Sequence, residues 1–405
     1  MLRRLAVLWI ACAAFLLAWQ LWRDTAVGLT AGSDVAFGGD FINFWSAPRL
    51  ALLGRVDEVY DAGRFHAFQK EVLGGPIQLY HYSYPPTATL LTLPFALLPY
   101  LAGWAAWLLG GWLALAATLR AAWPGGGRGW RDPALYALAL PATLVNSLTG
   151  QNGAWMTAVL GGGAMLLDRR PGLGGALLGL LAVKPQLALL VPVALVAGRR
   201  WRALGAFALV GAGLAAASVA LFGLDLWWAY TDRVAALRHR ILEDGTGVWE
   251  LFASVFVTVR QLPAPLPAAY AAQAVVALFA AAAVVLAWRR PVAPASKNVV
   301  LVACTLVATP YVQAYDLVVA ALVPLWLWRG EGAGAARDRL GLDAVAVLAV
   351  AAPVWGLAVA FAAGFGATGP LVAVAAFLAV RRVLEDGAVP PERRLAMPSP
   401  AGPGR

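Results

Sequence analysis

The sequence predicts an all-α membrane protein that crosses the bilayer many times. Of its 405 residues, 61% are hydrophobic and only 13% are charged, whereas an ordinary soluble domain has about 25% charged residues. Apolar runs long enough to cross the bilayer, which takes ~20 helical residues for ~30 Å of hydrocarbon, recur along the whole chain. Because backbone polar groups must be satisfied inside the bilayer, we expect these runs to be helices.

The arginines predict the topology. The first apolar run, 5–22, follows Arg3 and Arg4 as in a signal peptide, but it lacks a small-residue cleavage site, so we expect it to be retained. Later arginines cluster at the ends of apolar runs, where the positive-inside bias places them in the cytoplasm. Placing every arginine cluster in the cytoplasm requires about ten full spans, with both termini inside. These include spans at 134–149, 154–167 and 342–361.

Two long stretches of mixed polarity then lie outside: residues 23–99, the first loop, and residues 223–265, the second loop. Residues 85–99 contain four prolines, which interrupt any long helix, so this part should rest at the outer interface or re-enter the membrane. The second loop carries arginines against the charge bias, offset by nearby acids, and its tryptophans indicate an interfacial helix. We expect one membrane domain, 1–388, followed by a disordered cytoplasmic tail, 389–405.

A further irregularity lies between two inside arginine clusters. Residues 173–183 and 187–197 are apolar pieces of about eleven residues, separated by "KPQ" at 184–186. Eleven helical residues at ~1.5 Å each span only about half of a bilayer. We therefore predict a short re-entrant hairpin or two thin crossings.

Several classes of function are disfavoured. The net charge of +10 comes from arginines at span ends, so we expect membrane lipids as partners and no nucleic acid. Cys12 and Cys304 lie inside apolar runs, which argues against disulfides and redox chemistry. The three histidines form no metal-binding motif, and no glycine-rich phosphate loop is present, so we expect no obligatory metal, no nucleotide and no other cofactor. The alternative is that Asp34, Asp40 and Asp316 meet in space and hold a metal ion.

Five polar elements map to the outer half of the membrane or just beyond it. They are "GGDFINFW" from residue 38, "YHYSYPP" from 80, "GQNG" from 150, "KPQ" from 184 and "PYVQAYD" from 310. Their convergence at one depth predicts a polar cavity that opens outward.

Asp40 is the candidate base. It follows two glycines and lies among aromatic residues, with Asn43 three residues further on. A carboxylate beside an aromatic cleft can take a proton from a hydroxyl nucleophile. The alternative is that Asp40 only caps the helix that follows.

Lys184 is the candidate anion ligand. A lysine near the middle of the membrane usually faces a partner or a polar cavity, and its own sequence neighbourhood offers no acid. Pro185 suits the first position of a helix, which makes Lys184 the N-cap and predicts a site for a lipid phosphate. The alternative is a lysine that snorkels to the interface.

The remaining candidates have plain alternatives too. His81 can bind phosphate or sugar hydroxyls, or simply lie at the interface. Asp316 can face the cavity or cap the apolar run that it begins. Gln151 and Asn152 can line the cavity or only close a turn between two helices.

In their order along the chain, "GGDFINFWSAPRLALLGR", "YHYSYPP" with "LPFALLP" behind it, "GQNG", "KPQ" and "ATPYVQAYDLVVAALVP" resemble the family 87 polytopic glycosyltransferases. That group includes mannosyltransferases that depend on polyprenyl-phosphate mannose. The similarity runs from the first span to about Pro324.

The resemblance implies a GT-C fold with short membrane helices and interfacial helices in the outer loops, in a bacterial inner membrane. It also implies an acid of the first loop as catalytic base, a position that Asp40 occupies. The donor would be a polyprenyl-phosphate sugar and the acceptor a lipid or glycan hydroxyl. Where other versions carry histidine, this chain has "QAYD", which leaves Tyr315 and Asp316 as substitutes.

The sequence and the resemblance together give a set of expected contacts. The expected ligands of the donor phosphate are Lys184, Gln186, His81 and Tyr82. The expected substrate contacts are Asn43, Tyr84, Gln151, Asn152, Tyr311, Gln313, Tyr315 and Asp316. Other readings stay open: a transporter or flippase of a lipid-linked sugar, disfavoured because the broken helix pair has no counterpart in a second repeat, or a non-catalytic assembly subunit.

Overall fold

The computed structural model describes residues 10–12, 14–19, 22, 29, 34–123, 129–245, 249–262, 264–330, 352, 355–360 and 362–386. Within these residues every regular element is helical, and one isolated antiparallel bridge joins Phe252 to Gln313. The all-α class is therefore confirmed. The predicted tail, 389–405, and most of the predicted span at 342–361 lie outside the described residues.

The α-helices up to the "KPQ" element are α1 (Phe41–Leu52), α2 (Ala62–Leu73), α3 (Pro86–Ala96), α4 (Tyr100–Ala122), α5 (Arg131–Ala139), α6 (Pro141–Leu148), α7 (Gly153–Leu166) and α8 (Pro171–Gly179). Those that follow are α9 (Pro185–Ala188), α10 (Val191–Ala197), α11 (Trp201–Phe222), α12 (Asp225–Leu237), α13 (Val255–Gln261), α14 (Leu266–Arg289), α15 (Pro294–Ala308), α16 (Leu322–Gly330) and α17 (Thr368–Asp386). Tighter or wider helical turns connect them at Val56–Glu58, Leu180–Val183, Arg238–Glu243, Trp249–Leu251 and Ala314–Ala321.

Three of the described helices, α4, α11 and α14, are both long and apolar enough to cross a membrane. Only two of the 22 residues of helix α11, Ala203 and Ser218, are buried by the rest of the protein, as expected of a helix in contact with lipid. Several shorter apolar helices, among them α7, α15 and the α9–α10 pair, accompany these three. The chain thus has the character of a membrane protein, while the total of ten spans stays a prediction.

The predicted span at 134–149 is wrong as a continuous helix. Helix α5 ends at Ala139 and α6 begins at Pro141, with Leu140 extended between them (φ −70°, ψ 125°). Proline has no backbone N–H to donate and disfavours helical geometry in the residue before it, so the helix is interrupted here.

The break at "KPQ" is confirmed, but the second predicted piece, 187–197, is itself interrupted, because α9 ends at Ala188 and α10 begins at Val191. Helix α8 and the turn Leu180–Val183 lead to Lys184, whose backbone leaves helical geometry (φ −139°, ψ 72°). The one-turn helix α9 then begins at Pro185, which needs no N–H partner at that position. Residues 85–99 likewise form no long helix: α3 ends at Ala96, and α4 starts anew at Tyr100.

Candidate active site

Glycines bring the start of α1 against the turn between α6 and α7. The backbone N–H of Asp40 donates to the Thr149 carbonyl at 2.8 Å. Gly39 and Gly150 both have positive φ, and a β-carbon on Gly150 would lie 1.9 Å from the carbonyl oxygen of Gly38. No other residue fits this contact, which explains why "GGD" and "TGQNG" are rich in glycine.

The carboxylate of Asp40 does not cap its helix. Asp40 precedes α1, but its backbone is already helical (φ −65°, ψ −8°) and its side chain accepts no hydrogen bond from the first turn. Instead Oδ2 accepts a hydrogen bond from Nε2 of Gln151 at 2.7 Å. The capping interpretation is therefore wrong for the side chain, which faces the α6–α7 turn.

Burial raises the pKa of Asp40 to about 6, while the hydrogen bond from Gln151 and the charge of Lys184 act to lower it. A carboxylate with a pKa near 6 is mostly ionised at neutral pH and is a stronger proton acceptor than an ordinary aspartate. Such a perturbed acid inside a polar cluster is typical of functional sites.

Gln151 links Asp40 to Tyr84. Its Oε1 accepts a hydrogen bond from the Tyr84 hydroxyl at 2.9 Å, so both ends of the amide are satisfied. Burial, together with the charges of Asp316 and Asp40, raises the pKa of Tyr84 well above its ordinary value, which keeps it a neutral donor. The Tyr60 hydroxyl donates a hydrogen bond to the Tyr84 carbonyl at 2.7 Å. The chain Tyr84–Gln151–Asp40 is thus oriented from both ends.

Lys184 forms an ion pair with an acid that lies 132 residues later in the chain. Its Nζ lies 2.5 Å from Oδ1 of Asp316, and the two side chains are 2% and 0% exposed. Nζ also donates to Oδ1 of Asn152 at 3.3 Å and lies 4.7 Å from the centre of the Tyr315 ring. The snorkelling interpretation is wrong, because the ammonium is enclosed by protein groups.

Both carboxylate oxygens of Asp316 accept hydrogen bonds. Oδ1 binds Lys184, and Oδ2 accepts the backbone N–H of Gln313 at 3.1 Å. The Gln313 side chain in turn accepts the backbone N–H of Asp316, which completes a capping box at the turn Ala314–Ala321. Asp316 therefore faces the polar cluster, but it is not the N-cap: Gln313 occupies that position, and Asp316 takes part in the capping box from the third helical position.

These contacts form one site. The charge of Lys184 acts on Asp40, and the charges of Asp40 and Asp316 act on Tyr84. The backbones of Gly153 and Tyr315 also approach closely, since a β-carbon on Gly153 would lie 2.0 Å from the Tyr315 carbonyl oxygen. The described residues thus assemble the site from the first loop, the α6–α7 turn, the break at Lys184 and the segment that ends at Asp316.

Among the described residues, the side chains of His81, Tyr82 and Asn43 form their hydrogen bonds outside this cluster, although the Tyr82 ring lies 5.9 Å from that of Tyr84 and the Asn43 backbone N–H donates to the Asp40 carbonyl. The Tyr82 hydroxyl bonds to the Thr89 hydroxyl at 2.9 Å, and Asn43 donates to the His81 carbonyl at 3.3 Å. Nδ1 of His81 lies 2.8 Å from a guanidinium nitrogen of Arg233. The structure therefore does not join His81 and Tyr82 to Lys184 in a single phosphate site.

The last two candidates have modest roles in the structure. Gln186 is half-buried on α9, two residues beyond Lys184. Tyr311 is half-buried against the apolar cluster that contains Phe252 and Phe256. Of the two, Gln186 lies closer to the ion pair along the chain.

Sequence reasoning missed Arg233 and Tyr60 as parts of the site region. The signal for Arg233 was present: it is an arginine of the second loop that breaks the charge bias. Tyr60 gave no signal, because only the fold brings it to Tyr84. In the described part of the chain, no group of three or more His, Cys, Asp or Glu residues is placed to hold a metal ion.

Fold and site define a helical membrane protein with a carboxylate held among buried polar groups. Its family is given by comparison: the model described as glycosyltransferase family 87 matches residues 82–310, more than half of the chain. The chain therefore belongs to glycosyltransferase family 87. No curated protein matches. No solved structure matches either.

Proposed function

We propose that this glycosyltransferase moves a hexose, with mannose as the first candidate, from a polyprenyl-phosphate sugar to a hydroxyl of a lipid or glycan. The transfer takes place on the outer face of the bacterial inner membrane, within a GT-C-type fold. The observation that carries the proposal is Asp40: its carboxylate is not used to cap α1, is oriented by Gln151, and has a pKa of about 6.

The proposed reaction is a single displacement. The acceptor oxygen forms a bond to the anomeric carbon as the bond from that carbon to the phosphate oxygen breaks, and Asp40 takes the proton of the acceptor hydroxyl. The electron pair leaves with the polyprenyl phosphate, so the configuration at the anomeric carbon inverts. No nucleotide takes part, and the base contributes the 10²–10⁴-fold that is typical of proton transfer by a positioned group.

In this scheme Lys184 supports the leaving phosphate. It is the cation whose charge reaches Asp40, and it lies where α9 begins with Gln186 close by. Asp316 holds the ammonium in place and balances it while the donor is absent. A fixed cation stabilises the charge that develops as the phosphate departs, without having to reorganise.

The test compares two aspartates of the first loop in purified protein. A panel of polyprenyl-phosphate sugars is offered together with a total lipid extract, and new glycolipids are detected by mass spectrometry. We expect Asp40→Asn to bind donor but to lose transfer by at least 10²-fold, because an amide cannot take the proton. The matched control is Asp34→Asn, since Asp34 is exposed and should be dispensable. Transfer by Asp40→Asn at the parental rate would refute the assignment of the base.

A further inference from the structure

The second loop supplies an arginine beside the candidate site. Arg233 lies on α12, and its guanidinium nitrogen Nη2 is 2.8 Å from Nδ1 of His81, on the segment that leads to Tyr84. The His81 carbonyl is bound by Asn43, which lies three residues after Asp40 on α1. The segment that carries His81 therefore lies against the start of α1, where the proposed base is.

The charge on this arginine is poorly compensated. Arg233 is half-buried, and among the described residues it forms no salt bridge; its hydrogen bond goes to an imidazole. Burial and the charge of Arg240 lower the pKa of Arg233, and the charge of Asp61 acts in the opposite direction but does not cancel them. A cation withdrawn from water normally has a carboxylate or phosphate as its partner.

The neighbouring histidine carries no charge that could offset the guanidinium. Burial and the charges of Arg233 and Arg240 lower the pKa of His81 to about 4, so its imidazole is neutral at neutral pH. Nδ1 then accepts from Arg233, and the proton of the neutral ring is left on Nε2. The pair thus presents the remaining N–H groups of a guanidinium and one imidazole N–H.

We propose that Arg233 and His81 form a binding site for a phosphate group carried by a lipid, beside the centre that transfers the sugar. A guanidinium with an adjacent N–H donor matches the oxygens of a phosphate. The site also accounts for an arginine in a loop where the charge bias disfavours one. This inference rests on the proposed function for the identity of the neighbouring site, but not for the binding itself.

Two lipids can bring such a phosphate: the polyprenyl-phosphate donor, or a phospholipid that serves as acceptor. The probes are farnesyl phosphate for the first and dioctanoyl phosphatidylglycerol for the second, with farnesol as the uncharged counterpart. Binding to the purified full-length protein is measured in detergent by thermophoresis. Loss of farnesyl phosphate binding assigns the site to the donor, and the leaving phosphate is then held by Arg233 instead of Lys184. Loss of phosphatidylglycerol binding assigns the site to a lipid headgroup and leaves the donor phosphate at Lys184.

The decisive variant is Arg233→Gln, which keeps an amide N–H for His81 but removes the charge. We expect it to weaken binding of at least one phosphate probe roughly tenfold or more, with farnesol binding unchanged. The matched control, Arg238→Gln, removes a charge five residues away that pairs with Glu243 and should leave all three affinities unchanged. Parental affinity of Arg233→Gln for both phosphates overturns the proposal. So does an equal loss of farnesol binding, since that loss shows a structural role.

The phosphate site at Arg233 and the role of Asp40 can be refuted independently of each other. Asp40→Asn should bind the phosphate probes like the parent protein while it loses sugar transfer. If Asp40→Asn transfers sugar normally, the base assignment is wrong and the Arg233 result stands. If Arg233→Gln binds phosphate normally, the phosphate site is wrong and the role of Asp40 stands.

Discussion

The Lys184 ammonium and the Asp316 carboxylate form an ion pair at 2.5 Å inside the protein, from segments 132 residues apart. Each charge is enclosed, so each depends on the other for compensation. Variants that neutralise one partner or both therefore distinguish the contribution of the pair to stability from its contribution to catalysis.

Neutralising one partner should destabilise the protein more than neutralising both. Lys184→Met leaves a buried carboxylate without its cation, at a cost of about 3–5 kcal/mol. The double variant Lys184→Met/Asp316→Asn removes both charges and keeps an oxygen for the Gln313 N–H. We expect it to recover most of the thermal stability in detergent but not the activity. A double variant as unstable as Lys184→Met would contradict this account of the pair.

The pH dependence of sugar transfer should report the pKa of Asp40. Because the base must be unprotonated, the rate should rise with pH and reach half of its plateau near pH 6. Gln151→Leu removes an N–H that favours the charged carboxylate, so the pKa should rise and the acid limb should move to higher pH. Tyr84→Phe keeps the Gln151–Asp40 bond and should move the limb much less. A Gln151→Leu profile identical to that of the parent would exclude this bond as a determinant of the pKa.

Two glycines with positive φ should differ sharply in their tolerance of alanine. Gly150 (φ +65°) has the Gly38 carbonyl oxygen where a β-carbon would be placed, at 1.9 Å, so Gly150→Ala must push the two loops apart. Gly74 (φ +73°) has open space around it, so Gly74→Ala costs only the backbone strain, about 1–2 kcal/mol. We expect Gly150→Ala to abolish transfer and to lower the melting temperature far more than Gly74→Ala does. Equal effects would mean that the loop contact is dispensable.

The predicted topology is open to chemical labelling. Cys12 and Cys304 are replaced first, and single cysteines are then introduced at Glu71 and Gly129, both exposed. Because the charge bias places these positions on opposite sides of the membrane, an impermeant thiol reagent applied to intact cells should label only the cysteine at 71. Labelling of both positions from the same side would refute the parity of the predicted spans.

Local physics was enough to predict much of the fold. Helical class, the break at Lys184 and the N-terminal role of Pro185 follow from residue type and local spacing, and all are present in the structure. The span at 134–149 failed for a local reason as well: Pro141 interrupts it, and apolar composition outweighed that signal in the prediction.

The partners within the site could not be predicted in the same way. Nothing near Lys184 in the sequence indicates Asp316, and an aspartate before an apolar helix gives no sign that its side chain turns to Gln151, 111 residues later. Asp40 precedes its helix yet leaves the first turn uncapped, whereas Asp316 lies inside the turn Ala314–Ala321 and accepts the Gln313 N–H in a capping box. The choice is made by the packing of distant segments, which periodicity and propensity do not encode.

The separation of Lys184 from Asp316 also fixes when the protein becomes competent during its synthesis. The ribosome makes Lys184 first and must add 132 more residues before the counterion exists. During that interval the ammonium has to be met by water, by lipid headgroups or by the insertion machinery. A nascent chain that stops short of residue 316 thus carries Asp40 and Gln151 but a lysine without its counterion, and the ion pair can form only after nearly four fifths of the chain has been made.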